Sequence, residues 1–206
     1  MSTLDLLGML TADAAQSQWQ TPPWLARRVA EWMPRGQRIL EPSCGAGNLL
    51  DALLRARHRP ADLLGIEKDP AFAAHASERF QSAVTIVCGD FLTLPPPRAD
   101  TVLMNPPFES NQHMHFVARA LELACVVVAI VPASFEFGGE RDRELWAKQG
   151  RVVRRARLPE RVRYGGDQSP KFDTVVLKIQ RRAELRREDE VSHVAEEVWR
   201  RSEGST

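Results

Sequence analysis

The sequence predicts an α/β domain built on an open, largely parallel sheet, and three observations carry that prediction. Short apolar runs recur near residues 37–41, 62–67, 84–88, 100–104, 125–131, 152–158 and 173–180. Helical patterns fill the gaps between the early runs, and strands alternating with helices make parallel sheets. Successive runs also finish in a glycine turn, in Glu67 and in Gly89-Asp90, as expected where strand ends collect at the ligand-binding carboxyl edge. The last two runs are joined by a loop too short for a helical crossover, so they are expected to pair antiparallel. With 206 residues, 43% of them apolar, the chain can bury one full core, and one domain is the expectation.

Residues 1–19 form an N-terminal extension in which Leu4, Leu6, Leu7, Met9 and Leu10 suit a short docking helix. Gln20-Thr21-Pro22-Pro23 follows, and then an amphipathic helical pattern over 24–33. The first strand runs into Glu41-Pro42-Ser43-Cys44-Gly45-Ala46-Gly47-Asn48, where Gly45 and Gly47 can take positive φ and let a ligand approach the backbone. Glu67 stands 20 residues after Gly47 at the end of the second strand. A carboxylate at that offset can accept both hydroxyls of a ribose. The third strand leads to Gly89-Asp90-Phe91, where Asp90 can accept an amino hydrogen from an adenine and Phe91 can lie against its face.

The fourth strand stops at Asn105-Pro106-Pro107-Phe108. Each proline lacks an N–H and fixes φ, so the sheet cannot continue. A rigid corner remains, carrying one amide side chain, backbone carbonyls and one aromatic ring. Such a corner can accept hydrogen bonds from a planar amino group and stack on the ring that bears it.

Taken in this order, Glu-Pro-x-Cys-Gly-x-Gly, the ribose acid, Gly-Asp-Phe and Asn-Pro-Pro-Phe resemble the class I S-adenosylmethionine-dependent methyltransferases. The Asn-Pro-Pro-Phe tetrad and the preceding Thr21-Pro22 resemble the N6-adenine DNA methyltransferase branch. The resemblance spans roughly residues 20–180. It implies a Rossmann-like seven-stranded, mostly parallel sheet with one antiparallel strand and helices on both faces. It implies S-adenosyl-L-methionine as cofactor, with Thr21, Pro22, Glu41, Gly45, Gly47, Glu67, Asp90, Phe91 and Asn105 around it. Asn105, Pro106, Pro107 and Phe108 would form the catalytic corner. Phe172, with Tyr164 as substitute, would be a second aromatic holding a flipped base. The implied activity is methylation of adenine N6 in DNA. RNA adenine-N6 or guanine-N2 methylation, protein glutamine methylation and a catalytically inactive cofactor-binding subunit are the alternatives.

Net charge is only +1, but residues 141–163 hold nine Lys or Arg against three Asp or Glu. Arg154 and Arg155 in this block suit a phosphate-contacting rim. The three cysteines, Cys44, Cys88 and Cys125, sit in or beside apolar strands at no metal spacing, so they are expected to be reduced core residues in a cytoplasmic protein. The histidines form no ligand cluster, and no metal is implied. No signal peptide or membrane span is expected. Residues 181–206 are charge-dense, with Val191, Val194 and Val198 spaced for a packing helix. No separate target-recognition domain is expected, so sequence preference should be weak or short, and a homodimer or partner protein would supply further recognition.

Overall fold

A computed structural model describes residues 20–95, 98–137, 149–158, 162, 164, 173–184 and 194–200. The N-terminal extension lies outside the described residues. The strands are β1 (Ile39–Glu41), β2 (Leu63–Glu67), β3 (Thr85–Cys88), β4 (Thr101–Met104), β5 (Val126–Pro132), β6 (Gly150–Arg157), β7 (Thr174–Arg181) and β8 (Ala195–Val198). Among the described residues, four helices of two turns or more accompany them: α1 (Pro23–Ala30), α2 (Asn48–Arg55), α3 (Pro70–Phe80) and α4 (Gln112–Leu123). One sheet holds all eight strands in the order β3-β2-β1-β4-β5-β7-β6-β8. β7 runs antiparallel to both neighbours, while the other strands share one direction. The α/β sheet with a single reversed strand follows the sequence expectation; the eighth strand does not.

That eighth strand corrects the reading of the C-terminal segment as a helix. Ala195–Val198 pairs in parallel with β6, covering what would otherwise be a bare sheet edge. Glu196 meets Arg155 and Arg157, whereas Glu197 meets Arg154. These tertiary ion pairs, alternating along an extended chain, override the helical spacing of Val194 and Val198. Val191 lies outside the described residues. Trp199 then folds under β6 onto Trp32, with ring centroids 4.8 Å apart and nearly edge-to-face. Arg154 lies over the other ring, 4.5 Å from the Trp32 centroid.

Alternation along the central strands divides the core into two layers. Ile39, Leu103, Val128 and Val176 point to the face covered by α1, α2 and α3. Leu40, Val102, Met104, Val127 and Leu177 point to the face covered by α4. β4 is buried along its whole length, as a strand with helices on both faces should be. β3 is the exception. It is an edge strand with Val87 and Cys88 exposed, so the expectation of a core position fails for Cys88. Cys44 is buried and Cys125 partly so.

Local sequence sets the helix starts that matter for the cleft. Pro23 opens α1, where a missing N–H costs nothing. α3 starts with Pro70 behind Asp69, whose side chain accepts from the Ala71 and Phe72 amides. α2 is capped by Gly47 at φ 85°, and a Cβ there would stand 2.3 Å from the Phe80 ring. Only glycine fits both constraints.

Trp199→Ala should cost about 3 kcal/mol in urea unfolding, because a buried aromatic is lost where β8 is pinned to the end of α1. A loss under about 0.5 kcal/mol would mean that this segment contributes little to the fold.

Candidate functional site

The carboxyl ends of β1, β2, β3 and β4 surround a cleft of about 900 Å³. Gln20, Gly45, Glu67, Asp90, Phe91, Asn105, Pro106, Pro107 and Phe108 all line it. Half of the site residues expected from the sequence, Gly45, Glu67, Asp90, Phe91 and Asn105 to Phe108, are therefore brought to one place, and Gln20, Lys68, Phe72, Glu109 and Gln112 join them. The volume lies within the range of about 300–1,000 Å³ usual for small-molecule sites.

Glu67 organises the floor. Its Oε2 accepts from the Gly45 amide at 2.7 Å and its Oε1 from the Asp69 amide at 2.9 Å. The carboxylate thus joins the glycine turn to the start of α3 while facing the cleft. Asp90 is held from two sides, with Lys68 Nζ donating to Oδ2 at 2.9 Å and the Leu92 amide to Oδ1 at 2.9 Å. The Lys68 hydrogen bond, followed by the Leu92 amide, keeps the Asp90 carboxyl below the usual carboxylate range. Phe91 sits deep in the wall, 1% exposed, against Phe116 and beneath Arg119.

The Asn105 corner is braced through both backbone and side chain. Ser43 Oγ donates to the Asn105 carbonyl at 3.3 Å, and Asn105 Nδ2 donates to Thr21 Oγ1 at 3.1 Å. Phe108 meets Tyr164 and His113 edge-on, at centroid distances of 6.0 and 6.2 Å. The chain leaves this corner through Ser110 and Asn111, both at positive φ. Two consecutive non-glycine residues in that region form a strained turn immediately beyond the tetrad.

Several expected roles change on this geometry. Thr21 is buried and turned toward Asn105; it is Gln20 that covers the glycine turn, its Oε1 accepting from the Ala46 amide at 3.3 Å. Pro22 caps α1 and is not part of the cleft lining. Glu41 lies beneath the loop at 2% exposure, because it ends a strand buried on both faces. Tyr164 is 1% exposed behind Phe108, with its hydroxyl 3.4 Å from Thr174 Oγ1. Burial raises the phenol's pKa, and the ring supports Phe108 instead of offering a face to the cleft. Phe172 lies outside the described residues.

Arg154 and Arg155 do not form a free phosphate rim. Arg154 pairs with Glu197 and stacks on Trp32, while Arg155 is held by Glu136 and approached by Glu196. β8 supplies two of these acids, so Arg154 and Arg155 are neutralised by tertiary pairing; Arg141, Arg143 and Lys148 lie outside the described residues. Arg161 and Arg163 lie outside the described residues.

The sequence reading missed Gln20, Ser43, Asn48, Lys68 and Arg79. Gln20, Ser43 and Asn48 lie within or beside the quoted motifs and could have been found there. Arg79 sits on α3 with no local signal. It donates to the Ala46 carbonyl at 2.9 Å and to Asn48 Oδ1 at 3.0 Å, clamping the glycine turn from outside.

The fold is similar to that of a Listeria monocytogenes protein assigned to the class I S-adenosylmethionine-dependent methyltransferases, with a TM-score of 0.64 at 17% identity over 89% of this chain and 66% of the other. Comparisons with known proteins bear out the resemblance read from the motifs. Over 93 residues the chain is 39% identical to the type II methyltransferase M.TthHB8I of Thermus thermophilus, covering 43% of this chain and 20% of that protein. It is also 32% identical over 87 residues to ribosomal RNA small subunit methyltransferase C of Stutzerimonas stutzeri, covering 40% of this chain and 26% of that protein. Among solved structures, the M protein of the type I restriction enzyme EcoKI superposes with a TM-score of 0.64 at 18% identity. That match covers 82% of this chain and 45% of the other. The chain spans about a third or less of the curated relatives it matches. No family model matches it.

The buried Glu41 generates a pH-dependent prediction. Desolvation, reinforced by the nearby Glu67, raises its pKa well above the ordinary value, outweighing a hydrogen bond from the Leu50 backbone at the start of α2. The folded state then binds a proton that the unfolded chain has released. Stability tied to Glu41 therefore falls as pH climbs above the unfolded value of about 4.3, and stops falling once the folded pKa is passed. Glu41→Gln should be progressively more stable than wild type from pH 4 upward in thermal melts; a gap that is constant with pH would show that Glu41 is ionised in the fold.

Proposed function

We propose that the protein is an S-adenosylmethionine-dependent N-methyltransferase that methylates the exocyclic N6 of adenine in DNA. The observation that carries this reading is the Asn105-to-Phe108 corner, open to the same cleft as Glu67 and Asp90 and tied to Thr21. The similarity to a type II methyltransferase supports the choice of DNA.

The donor set suits the cofactor. Glu67 would hold the ribose hydroxyls, and Asp90 would accept from the adenine amino group. The glycine turn, with Gly45 at φ 51°, lets the ligand pass close to the backbone. S-adenosylmethionine, when bound, supplies an electrophilic methyl on a sulfonium.

The chain's own residues would prepare the acceptor nitrogen. An exocyclic amine is a poor nucleophile because its lone pair is delocalised into the ring. Asn105 Oδ1 and the Pro106 carbonyl would accept its two hydrogens, favouring a more tetrahedral nitrogen with a localised lone pair. Phe108 would stack on the base, held by Tyr164 and His113 behind it. Rate enhancement then comes from positioning and from dipoles fixed before reaction. A base within a duplex cannot enter such a corner, so it must be flipped out or single-stranded. The nitrogen loses its proton after attack, and no protein nucleophile is needed.

Target recognition would come from loops, a second copy or a partner subunit; the likeness to a type I restriction enzyme's M protein supports the last of these. RNA is the second reading, supported by the similarity to a ribosomal RNA methyltransferase.

Transfer of labelled methyl to duplex DNA, single-stranded DNA and RNA, followed by digestion to nucleosides, tests the proposal. N6-methyladenine in DNA is expected, and Asn105→Ala should abolish it while leaving S-adenosylhomocysteine affinity within a few-fold. Label in RNA alone would overturn the substrate. Full activity in Asn105→Ala would overturn the mechanism.

A further inference from the structure

The turn that brings Asp90 and Phe91 to the cleft is a single helical turn with no helix beyond it. The Asp90 carbonyl accepts from the Thr93 amide at 3.0 Å and from the Leu94 amide at 2.9 Å. Asp90 Oδ1 accepts from the Leu92 amide at 2.9 Å, as a helix cap does. Pro95 follows at once, with no N–H to extend the ladder. One isolated turn fixes several dihedrals for few hydrogen bonds, so it is not stable by itself. Contacts from other elements must hold it.

Those contacts converge on Leu94 and Phe91. The Leu94 side chain packs onto Gly89 and leaves no room for a Cβ there. Arg119, from α4, donates through Nη2 to the Leu94 carbonyl at 2.6 Å. The direction of that bond is unambiguous, because a guanidinium only donates and a carbonyl only accepts. The same guanidinium lies 5.6 Å from the centroid of the Phe91 ring. Phe116, three residues earlier on the same face of α4, packs against Phe91 with centroids 5.3 Å apart. Lys68 and the Leu92 amide do most to keep Asp90 ionised, and the Arg119 charge adds to them.

Packing alone does not account for an arginine at this position. Arg119 Nε is buried and has no hydrogen-bond partner among the described residues. An orphaned buried donor is a cost that a flexible apolar side chain such as methionine avoids. What the arginine adds is the bond to Leu94, which closes the turn that Asp90 opens.

We propose that Arg119 is a positioning residue for cofactor recognition: through the Leu94 carbonyl it clamps the turn from Asp90 to Leu94 and so fixes the carboxylate that would accept the adenine amino group. This rests on the reading of the cleft as the site of S-adenosylmethionine. Arg119 is not part of the cleft lining, so it acts on the ligand only through the turn.

Calorimetric titration of wild type and Arg119→Met with S-adenosylhomocysteine and with its 6-oxo analogue tests this. In the analogue an oxygen replaces the adenine amino group and would face the Asp90 carboxylate. Wild type should bind the analogue about 10–100-fold more weakly, the worth of one hydrogen bond to a charged group. In Arg119→Met that ratio should shrink by about fivefold or more, through weaker binding of S-adenosylhomocysteine. A residue that only supports the fold would weaken both ligands alike. An unchanged ratio in the variant would therefore overturn the proposal, as would equal affinities in wild type. Thermal melts accompany the titrations. Should Arg119→Met not fold, Arg119→Lys takes its place with the same expected fall, since its side chain is one atom too short to hold the Leu94 carbonyl. No binding of S-adenosylhomocysteine to wild type would sink the cofactor reading and this proposal together. Saturable binding with an unmoved ratio would leave the reading intact and remove only the role of Arg119.

Discussion

One carboxylate holds the carboxyl edge of the sheet together. Glu67 takes the Gly45 amide on one oxygen and the Asp69 amide on the other. Both are charge-assisted bonds to backbone donors, stronger than neutral ones. Because Glu67 fixes the backbone of Asp69, the Asp69 side chain is in place to cap α3. α3 then delivers Phe80 against Gly47 and Arg79 onto Ala46 and Asn48. The glycine turn is gripped from below by the Glu67 carboxylate and from outside by the Arg79 guanidinium.

A second constraint follows from the prolines. Pro106 and Pro107 end β4 where the cleft begins, so the Asn105 side chain cannot be absorbed into sheet pairing. The Asn105 side-chain amide instead donates to Thr21 Oγ1, and the Asn105 backbone carbonyl accepts from Ser43 Oγ. Behind the corner, Phe108, His113, Phe135 and Tyr164 form a set of edge-on aromatic contacts. The site is thus built from strand ends that stay put and is backed by packed rings, as preorganised electrostatic catalysis requires.

Much of this was legible in the sequence because it depends on short-range rules. Glycines that need positive φ, prolines that stop a strand and acids at strand ends mark their positions locally, and strand boundaries fell within about two residues of the structure. The arginine block was misread for the opposite reason. Arg154 and Arg155 look like a basic rim until β8 arrives from some 40 residues later in the chain with Glu196 and Glu197. The same tertiary pairing turned an expected helix into a strand. Tyr164, which the resemblance offered as the substitute for Phe172 in holding a flipped base, is buried behind Phe108. Arg79 was invisible, since nothing in its helix announces a contact with a turn more than 30 residues earlier. No helix among the described residues is long and apolar enough to cross a membrane.

The account stands on Glu67 serving as both the brace of the turn and the anchor of a ribose-bearing cofactor. Calorimetric titration of the wild-type protein and Glu67→Ala with S-adenosylhomocysteine tests this most directly. The account predicts saturable binding to wild type and a loss of roughly 1.5–3 kcal/mol, at least tenfold in affinity, in the variant. Equal affinity in the two proteins, or binding of NAD in place of S-adenosylhomocysteine, would contradict it.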